Sequence, residues 1–214
     1  MASTPEDLFA AIVGDDVERV REIVGEDPML ARSRDDAGVS ALMSARYRMD
    51  RALTEPILRA AGPLDVFEAA AFGDMDRLTE VLQADPGAVS ARSRDGFTAL
   101  HFSAFFGGAD VTRLLLARGA EVDASGRGWM TGTALHSAAS ASQVDSALAL
   151  LHAGADPNAR QGQGWTPLHS AAANGRTDLV RALRAHGADP AAVNDDGKTP
   201  GDVAEDDATR AALA

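Results

Sequence analysis

The sequence predicts an all-α solenoid in which pairs of helices stack in series and short β-hairpins form the tips between pairs. One observation is a recurring phrase, Thr-Ala-Leu-His or Thr-Pro-Leu-His, at 98–101, 133–136 and 166–169, whose leucines lie 35 and then 33 residues apart. Another is a Gly-Ala-acidic closing at 119–121, 154–156 and 187–189. A fixed period of about 33 residues is typical of a stacked array of repeats.

Each period carries the signals for two helices in order. The threonine can cap free backbone N–H groups, and the proline after it at 167 and 200 fits a first helical turn because its missing N–H has no partner there. Leu and the following alanines form the packed face, and Gly107 or Gly175 then ends the first helix. Leucine-rich runs form the second helix, which ends at Gly119, Gly154 or Gly187. The Asp-Gly pairs at 95–96 and 196–197 predict hairpin tips.

Residues 164–175 read Gly-Trp-Thr-Pro-Leu-His-Ser-Ala-Ala-Ala-Asn-Gly, and residues 150–158 read Leu-Leu-His-Ala-Gly-Ala-Asp-Pro-Asn. In these segments the chain resembles the ankyrin repeat family, with its G-x-T-P-L-H-x-A-A-x-x-G opening and L-L-x-x-G-A-D-x-N closing. The resemblance is strong over 96–201 and weaker before it. It implies an ankyrin repeat solenoid of stacked helix-turn-helix pairs, with about seven repeats including caps.

The N-terminal half contains a duplication, because Ala31-Arg32-Ser33-Arg34-Asp35 recurs at 91–95. The step between the repeat starts near 42 and 66 is only 24 residues (66 − 42), so the hairpin after Gly62-Pro63 is expected to be missing. We therefore predict one domain over 1–214. Its parts are two divergent N-terminal repeats (1–62), a duplicated two-repeat unit (63–126), two consensus-like repeats (127–194) and a C-terminal capping repeat (195–214).

Composition narrows the function classes. The chain has no cysteine, which excludes disulfides, thiolate metal sites and cysteine nucleophiles. Its net charge of −12 argues against general nucleic-acid binding. The polar start at 1–7 and the lack of a long apolar run predict a cytoplasmic protein without a membrane partner. One lysine against many arginines, with abundant alanine, points to a bacterial genome rich in G and C.

Candidate catalytic groups are few. His101, His136 and His169 stand in register and could suggest a metal site. The resemblance implies instead a structural role, in which each imidazole hydrogen-bonds backbone near a hairpin. His152 and His186 lie at the ends of second helices, where a partial positive charge suits the dipole. We predict no catalytic residue, no metal and no cofactor.

The resemblance places the ends of the first helices and the hairpin tips on the concave, partner-binding side. Large aromatic and arginine side chains, which are enriched at interface hot spots, fall at many of these positions. The predicted partner-binding residues are Tyr47, Arg48, Phe72, Arg92, Arg94, Phe97, Phe105, Phe106, Trp129, Met130, Trp165 and Asn174. The alternative is that Phe72, Phe105 and Phe106 simply pack against neighbouring repeats. Phe9, Phe67 and Phe102 are predicted core residues.

These features predict a non-catalytic protein–protein interaction module, an adaptor or inhibitor that is monomeric alone and grips one protein partner along its concave face. The arginines near 32–51 and 92–94 either pair with neighbouring aspartates or form a positive patch for an acidic partner. A second hypothesis is a regulatory or immunity-type subunit whose acidic C-terminal cap, at 195–207, blocks a basic site on an enzyme or toxin. A third, from another class, is a hydrolase built on repeats.

Overall fold

A computed structural model describes residues 2–127 and 131–214. Trp129 and Met130, two of the predicted binding residues, lie outside the described residues. The chain divides into two compact units, 1–68 and 69–214. The described residues form α-helices joined by loops, with short 3₁₀ turns at Pro28–Arg32, Pro86–Ser90 and Gly162–Gly164. None of the described helices is long and apolar enough to cross a membrane.

The first unit contains two helix pairs. Its helices are α1 (Pro5–Val13), α2 (Val17–Glu26), α3 (Ala41–Tyr47) and α4 (Arg51–Ala60). Helix α1 packs against α2 and α3, and α2 packs against α4. Leu8, Ile23, Leu42 and Leu53 are completely buried between them. Only residues 61–65 separate α4 from the next helix, which agrees with the hairpin that the sequence predicts to be missing.

The division at residue 68 falls within α5 (Val66–Phe72). The helices that follow are α6 (Met75–Ala84), α7 (Ala99–Phe102), α8 (Ala109–Ala117), α9 (Ala134–Ser140), α10 (Val144–His152), α11 (Pro167–Ala173), α12 (Thr177–Ala185), α13 (Pro200–Val203) and α14 (Asp207–Leu213). The first helices pack in series as α7, α9, α11 and α13, and the second helices do so as α8, α10, α12 and α14. This is the stacking that the period of the sequence predicts.

The core of the second unit repeats with the sequence. The leucines of the Thr-x-Leu-His phrases are at most 1% exposed, and so are the second-helix leucines Leu115, Leu150 and Leu183. Buried alanines such as Ala138 and Ala171 let successive first helices approach closely. Burying one leucine side chain contributes about 1.5–3 kcal/mol to the stability of the fold. In a repeat stack this burial occurs mainly between neighbouring repeats, so contacts between neighbours hold the stack together.

The first helices end by a common hydrogen bond. The N–H of Gln143 donates to the carbonyl of Ala138, and the N–H of Arg176 donates to that of Ala171, five residues back in each case. The residue before each donor has a left-handed backbone conformation; the φ of Gly175, for example, is 63°. The prediction for Gly107 was wrong by one residue: Gly108 takes the positive φ, 87°, because the chain closes in a π-turn over Ser103–Gly107.

The hairpin tips are short. An isolated antiparallel bridge joins Arg34 to Ser40, and another joins Arg92 to Thr98. At the second of these tips Gly96, with φ of 90°, allows its N–H to donate to the carbonyl of Ser93. At the predicted tip with Gly197, φ is 72° and the N–H of Asn194 donates to the carbonyl of Lys198.

Candidate binding surface

The three histidines of the recurring phrase link successive repeats. Nδ1 of His101 accepts from the backbone N–H of Thr98 at 3.2 Å, and Nε2 lies 3.1 Å from the carbonyl oxygen of Gly132. Because a backbone amide only donates and a carbonyl only accepts, Nδ1 must be bare and Nε2 must carry the proton. His136 and His169 make the same two contacts, to the carbonyls of Trp165 and Lys198.

Burial keeps these imidazoles neutral. It lowers the pKa of His101 to about 4, partly offset by the bond to Gly132, and it lowers the pKa of His136 to about 4 in the same way. The pKa of His169 is also lowered, again chiefly by burial. Both ring nitrogens serve the fold, as the resemblance implies. Among the described residues, no group of three or more His, Asp or Glu side chains is placed to hold a metal ion.

The end of the fourth repeat's first helix carries a pair of half-buried aromatic rings. Phe105 and Phe106 have ring centroids 4.5 Å apart at an interplanar angle of 59°. They lie in the π-turn, whose last residue, Gly107, packs so closely on the carbonyl of Ala70 that a Cβ there would lie 1.9 Å from that oxygen. Phe72 is half-buried at the end of α5. All of these residues belong to the second unit.

The equivalent positions in the next two repeats are small or polar. Helix α9 packs against the π-turn and ends at the exposed Ser140. Helix α11 ends at Ala173, and the exposed Asn174 after it donates from Nδ2 to the carbonyl of Ser140 at 3.1 Å. The structure thus brings three of the predicted residues, Phe105, Phe106 and Asn174, onto one continuous surface, with Ser140 between them. We call this row of first-helix ends the inner face.

Phe97 is not on this surface. It is only 5% exposed, and its ring centroid lies 5.5 Å from that of His101 and 5.8 Å from that of Phe102. The prediction of an exposed aromatic here was wrong, because the backbone before Thr98 turns the ring inward onto the first helix. Phe102 is buried as predicted. Trp165, at the equivalent position of the sixth repeat, is half-buried with its ring 5.6 Å from that of His169.

Two of the predicted partner-binding residues, Tyr47 and Arg48, lie in the first unit. Tyr47 is 41% exposed at the end of α3. Arg48, next to it, donates from Nε to Oδ1 of Asp15 at 2.7 Å. This hydrogen bond lowers the pKa of the Asp15 carboxyl and raises that of the guanidinium. The guanidinium of Arg48 is therefore already paired with a carboxylate of its own unit.

The two predicted tip arginines differ. Arg92 donates from Nη1 to the carbonyls of Gly96 and Ser125, at 3.0 and 2.6 Å, and so joins two successive tips. Arg94 is exposed in the turn between the bridged residues. Arg92 thus holds two tips together, and its role in binding a partner stays a prediction, as does that of the exposed Arg94.

Two of the C-terminal acidic residues are helix caps. Oδ2 of Asp202 accepts from the N–H of Thr199 at 2.8 Å, and Oδ1 of Asp206 accepts from the N–H of Thr209 at 2.7 Å. These backbone hydrogen bonds are the main reason that the pKa of each carboxyl is lowered. Asp196, Glu205 and Asp207 remain exposed at the same end.

Comparison with family models decides the classification. A model of ankyrin repeats in three copies matches residues 66–161, and a model of ankyrin repeats in many copies matches residues 150–204. The chain is an ankyrin repeat protein. No curated protein gives a significant match to it. Repeats of this family are generally protein-interaction modules.

Sequence reasoning missed one residue of this ankyrin repeat protein. Arg127 lies beside the fourth tip, because a Cβ added to Gly96 would lie 2.6 Å from the Cβ of Arg127. The spacing gave no signal for it, because the tip that contains Arg127 is two residues longer than its neighbours and Ser125 holds the position of Arg92.

Proposed function

We propose that this ankyrin repeat protein is a non-catalytic adaptor or inhibitor that holds one protein partner along its inner face. The observation that carries the proposal is the Phe105–Phe106 pair, whose rings are half-buried at the end of a first helix. The next repeats hold Ser140 and Asn174 near the same positions, so stacking itself does not require aromatic rings there. Aromatic side chains, those of Phe included, are enriched at protein–protein interfaces.

The histidines support a non-catalytic role. A general base needs an uncommitted lone pair, and in His101, His136 and His169 the lone pair of Nδ1 already accepts from the backbone of the same repeat. Their Nε2–H groups donate to the next repeat. Catalysis by any of them would require breaking the contacts that join repeats.

The acidic-cap hypothesis is the second candidate, and it is supported by fewer groups than the sequence suggests. Asp202 and Asp206 cap helices, and Oδ1 of Asp207 lies 3.3 Å from Nη2 of Arg210. Asp195, also exposed, has its Oδ1 3.7 Å from Nη2 of Arg160, which leaves Asp196 and Glu205 for a basic partner site. A subunit that inhibits through its cap would depend on these two residues.

The test is a pull-down from native lysate, followed by affinity measurements on the purified partner. We expect Phe105→Ala to weaken binding at least about tenfold, or about 1.4 kcal/mol. Met29→Ala, which removes a side chain that is 62% exposed in the first unit, is the matched control and should not affect binding. An Asp196→Asn/Glu205→Gln variant tests the cap.

Two outcomes would contradict the proposal. In one, Phe105→Ala lowers the helical signal or the melting temperature as much as a core substitution, so that the ring belongs to the core. In the other, the partner binds the Phe105→Ala variant with normal affinity, and only the Asp196→Asn/Glu205→Gln variant fails to bind it.

A further inference from the structure

Three arginines surround one turn of the second unit. Arg92 donates to the carbonyl of Gly96 at 3.0 Å, and Arg127 packs over the same glycine. Arg94 stands within the turn, which the Gly96 N–H closes by donating to the carbonyl of Ser93 at 2.9 Å. All three arginine side chains are exposed. We call Arg92, Arg94 and Arg127 the arginine cluster.

The arginine cluster carries more positive charge than the single acidic side chain in its turn, Asp95, can balance. Elsewhere in the second unit carboxylates pair with arginines, at Arg77, Arg113, Arg160, Arg176 and Arg210. The donors of Arg92 are used instead on the backbone carbonyls of Gly96 and Ser125. Asp95, in the same turn, accepts from the hydroxyl of Ser93.

Arg127 does not join tips in the way that Arg92 and Arg160 do. Arg92 donates to the carbonyl of Ser125, and Arg160 donates to that of Val193 at 2.8 Å. Each of those contacts spans 33 residues. The N–H of Gly126 closes its tip on the carbonyl of Gly132 as the N–H of Ser93 closes its own on Phe97, so Ser125 holds the position of Arg92. Within the described residues the guanidinium of Arg127 makes no such bond, and its tip is two residues longer, since the threonines at 98 and 133 lie 35 apart.

We propose that the arginine cluster binds Asp or Glu side chains of the protein partner. A guanidinium presents paired N–H donors that match a carboxylate in two parallel hydrogen bonds. The turn with Arg127 carries a charge of +2 (three arginines less Asp95) on a chain whose net charge is −12. A short acidic segment feels mainly this turn, since salt screens charges beyond about 8 Å. A nucleic acid would extend over the surrounding negative surface.

This inference rests on the proposed function, and it specifies the chemistry of the partner at one end of the binding surface. The probe is a hexaglutamate peptide, titrated into the full-length protein with arginine labelled at Nε. We expect saturable shifts of the Nε–Hε signals of Arg92, Arg94 and Arg127. A (Gly-Ser)₃ peptide should leave them unmoved.

Matched double variants make the test specific. Arg94→Gln/Arg127→Gln should raise the Kd for hexaglutamate at least about tenfold. The control is Arg118→Gln/Arg181→Gln, which removes two exposed arginines, Arg118 directly after α8 and Arg181 within α12. It should leave the Kd unchanged. Three outcomes would overturn the inference. They are equal shifts at Arg118 and Arg181, no saturable shift at the cluster, and tighter binding of a hexathymidylate than of hexaglutamate at the cluster.

The partner itself separates this inference from the proposed function. If Phe105→Ala weakens partner binding and Arg94→Gln/Arg127→Gln does not, the inner face binds the partner and the inference about acidic groups is wrong. If neither variant affects the partner, the proposed function fails as well.

Discussion

Each buried histidine of the second unit is confined to a single protonation state by its neighbours. A second proton would go onto Nδ1, which accepts from a backbone N–H, so an imidazolium would place two N–H groups against each other. In the unfolded chain the same side chain titrates near 6.5. The unfolded state therefore binds more protons than the folded state between pH 6.5 and about 4.

We predict that acid destabilises the fold in this window. Stability is fully present above pH 6.5 and falls as the pH drops toward 4, by about 2 kcal/mol each for His101 and His136 at pH 5. His136→Gln should lower stability at pH 7 and reduce the difference between pH 7 and pH 5 by about that amount. His152→Gln, at the exposed end of α10, is the control. Urea titrations at the two pH values measure both, and an unaltered pH difference in His136→Gln would contradict the assignment.

At this scale the Thr-x-Leu-His phrase fixes one partner of each histidine, the backbone N–H three residues before it. The other partner is a carbonyl of the next repeat, 31 residues after His101 and 29 residues after His136 and His169, and the family resemblance implies it. Phe97 could not be placed this way, since its burial depends on the ring turning toward Phe102 and His101. Arg127 was missed because its contact with Gly96 crosses between repeats and the tip between them varies in length.

The π-turn after α7 shows how one helix end is fitted to its neighbour. The chain closes with the N–H of Gly108 donating to the carbonyl of Ser103, the same five-residue span as in the other repeats. Gly107 can then lie directly against the carbonyl of Ala70. The sequence predicts that a glycine ends this helix, but two glycines in succession leave open which one is left-handed. Only the contact with Ala70 separates them.

We predict that Gly107→Ala destabilises the protein by about 1–3 kcal/mol, because a new Cβ would overlap the Ala70 carbonyl. Gly25→Ala is the comparison, and it should raise stability instead of lowering it. Gly25 lies inside α2 with nothing within 4 Å of an added Cβ, so alanine should stabilise that helix by about 0.5–1 kcal/mol. Urea unfolding measures both variants. If Gly107→Ala is as stable as wild type, the close contact between Gly107 and the Ala70 carbonyl is contradicted.

At the scale of the whole molecule, the histidine bonds are distributed unevenly. None of the five histidines lies in residues 1–68. In that unit Ser40 directly precedes α3, the position that a threonine holds before later first helices. Its hydroxyl donates to Oε1 of Glu68 at 2.6 Å. The period of the sequence predicts the stacking of helices in both units, because the leucine and alanine positions recur. It does not predict how strongly each pair is joined.

We predict that residues 1–68 open before residues 96–190 in native-state hydrogen exchange. Stability in repeat proteins is approximately a sum of terms between neighbours, and the first unit has fewer repeats and no histidine bonds. Amides of α2 and α4 should therefore exchange faster than those of α9 and α11. Equal protection along the chain would show that the missing hairpin and histidines make no difference.

The most direct measurement is a hydrogen-exchange footprint of the purified partner on this ankyrin repeat protein. We expect protection at the ends of the first helices and at the tips, around 93–97, 103–107 and 140–142, with the second helices α8, α10 and α12 unchanged. Phe105→Ala should remove this protection in proportion to its loss of affinity. Protection confined to residues 195–214, or spread over the second helices, would contradict binding through the inner face.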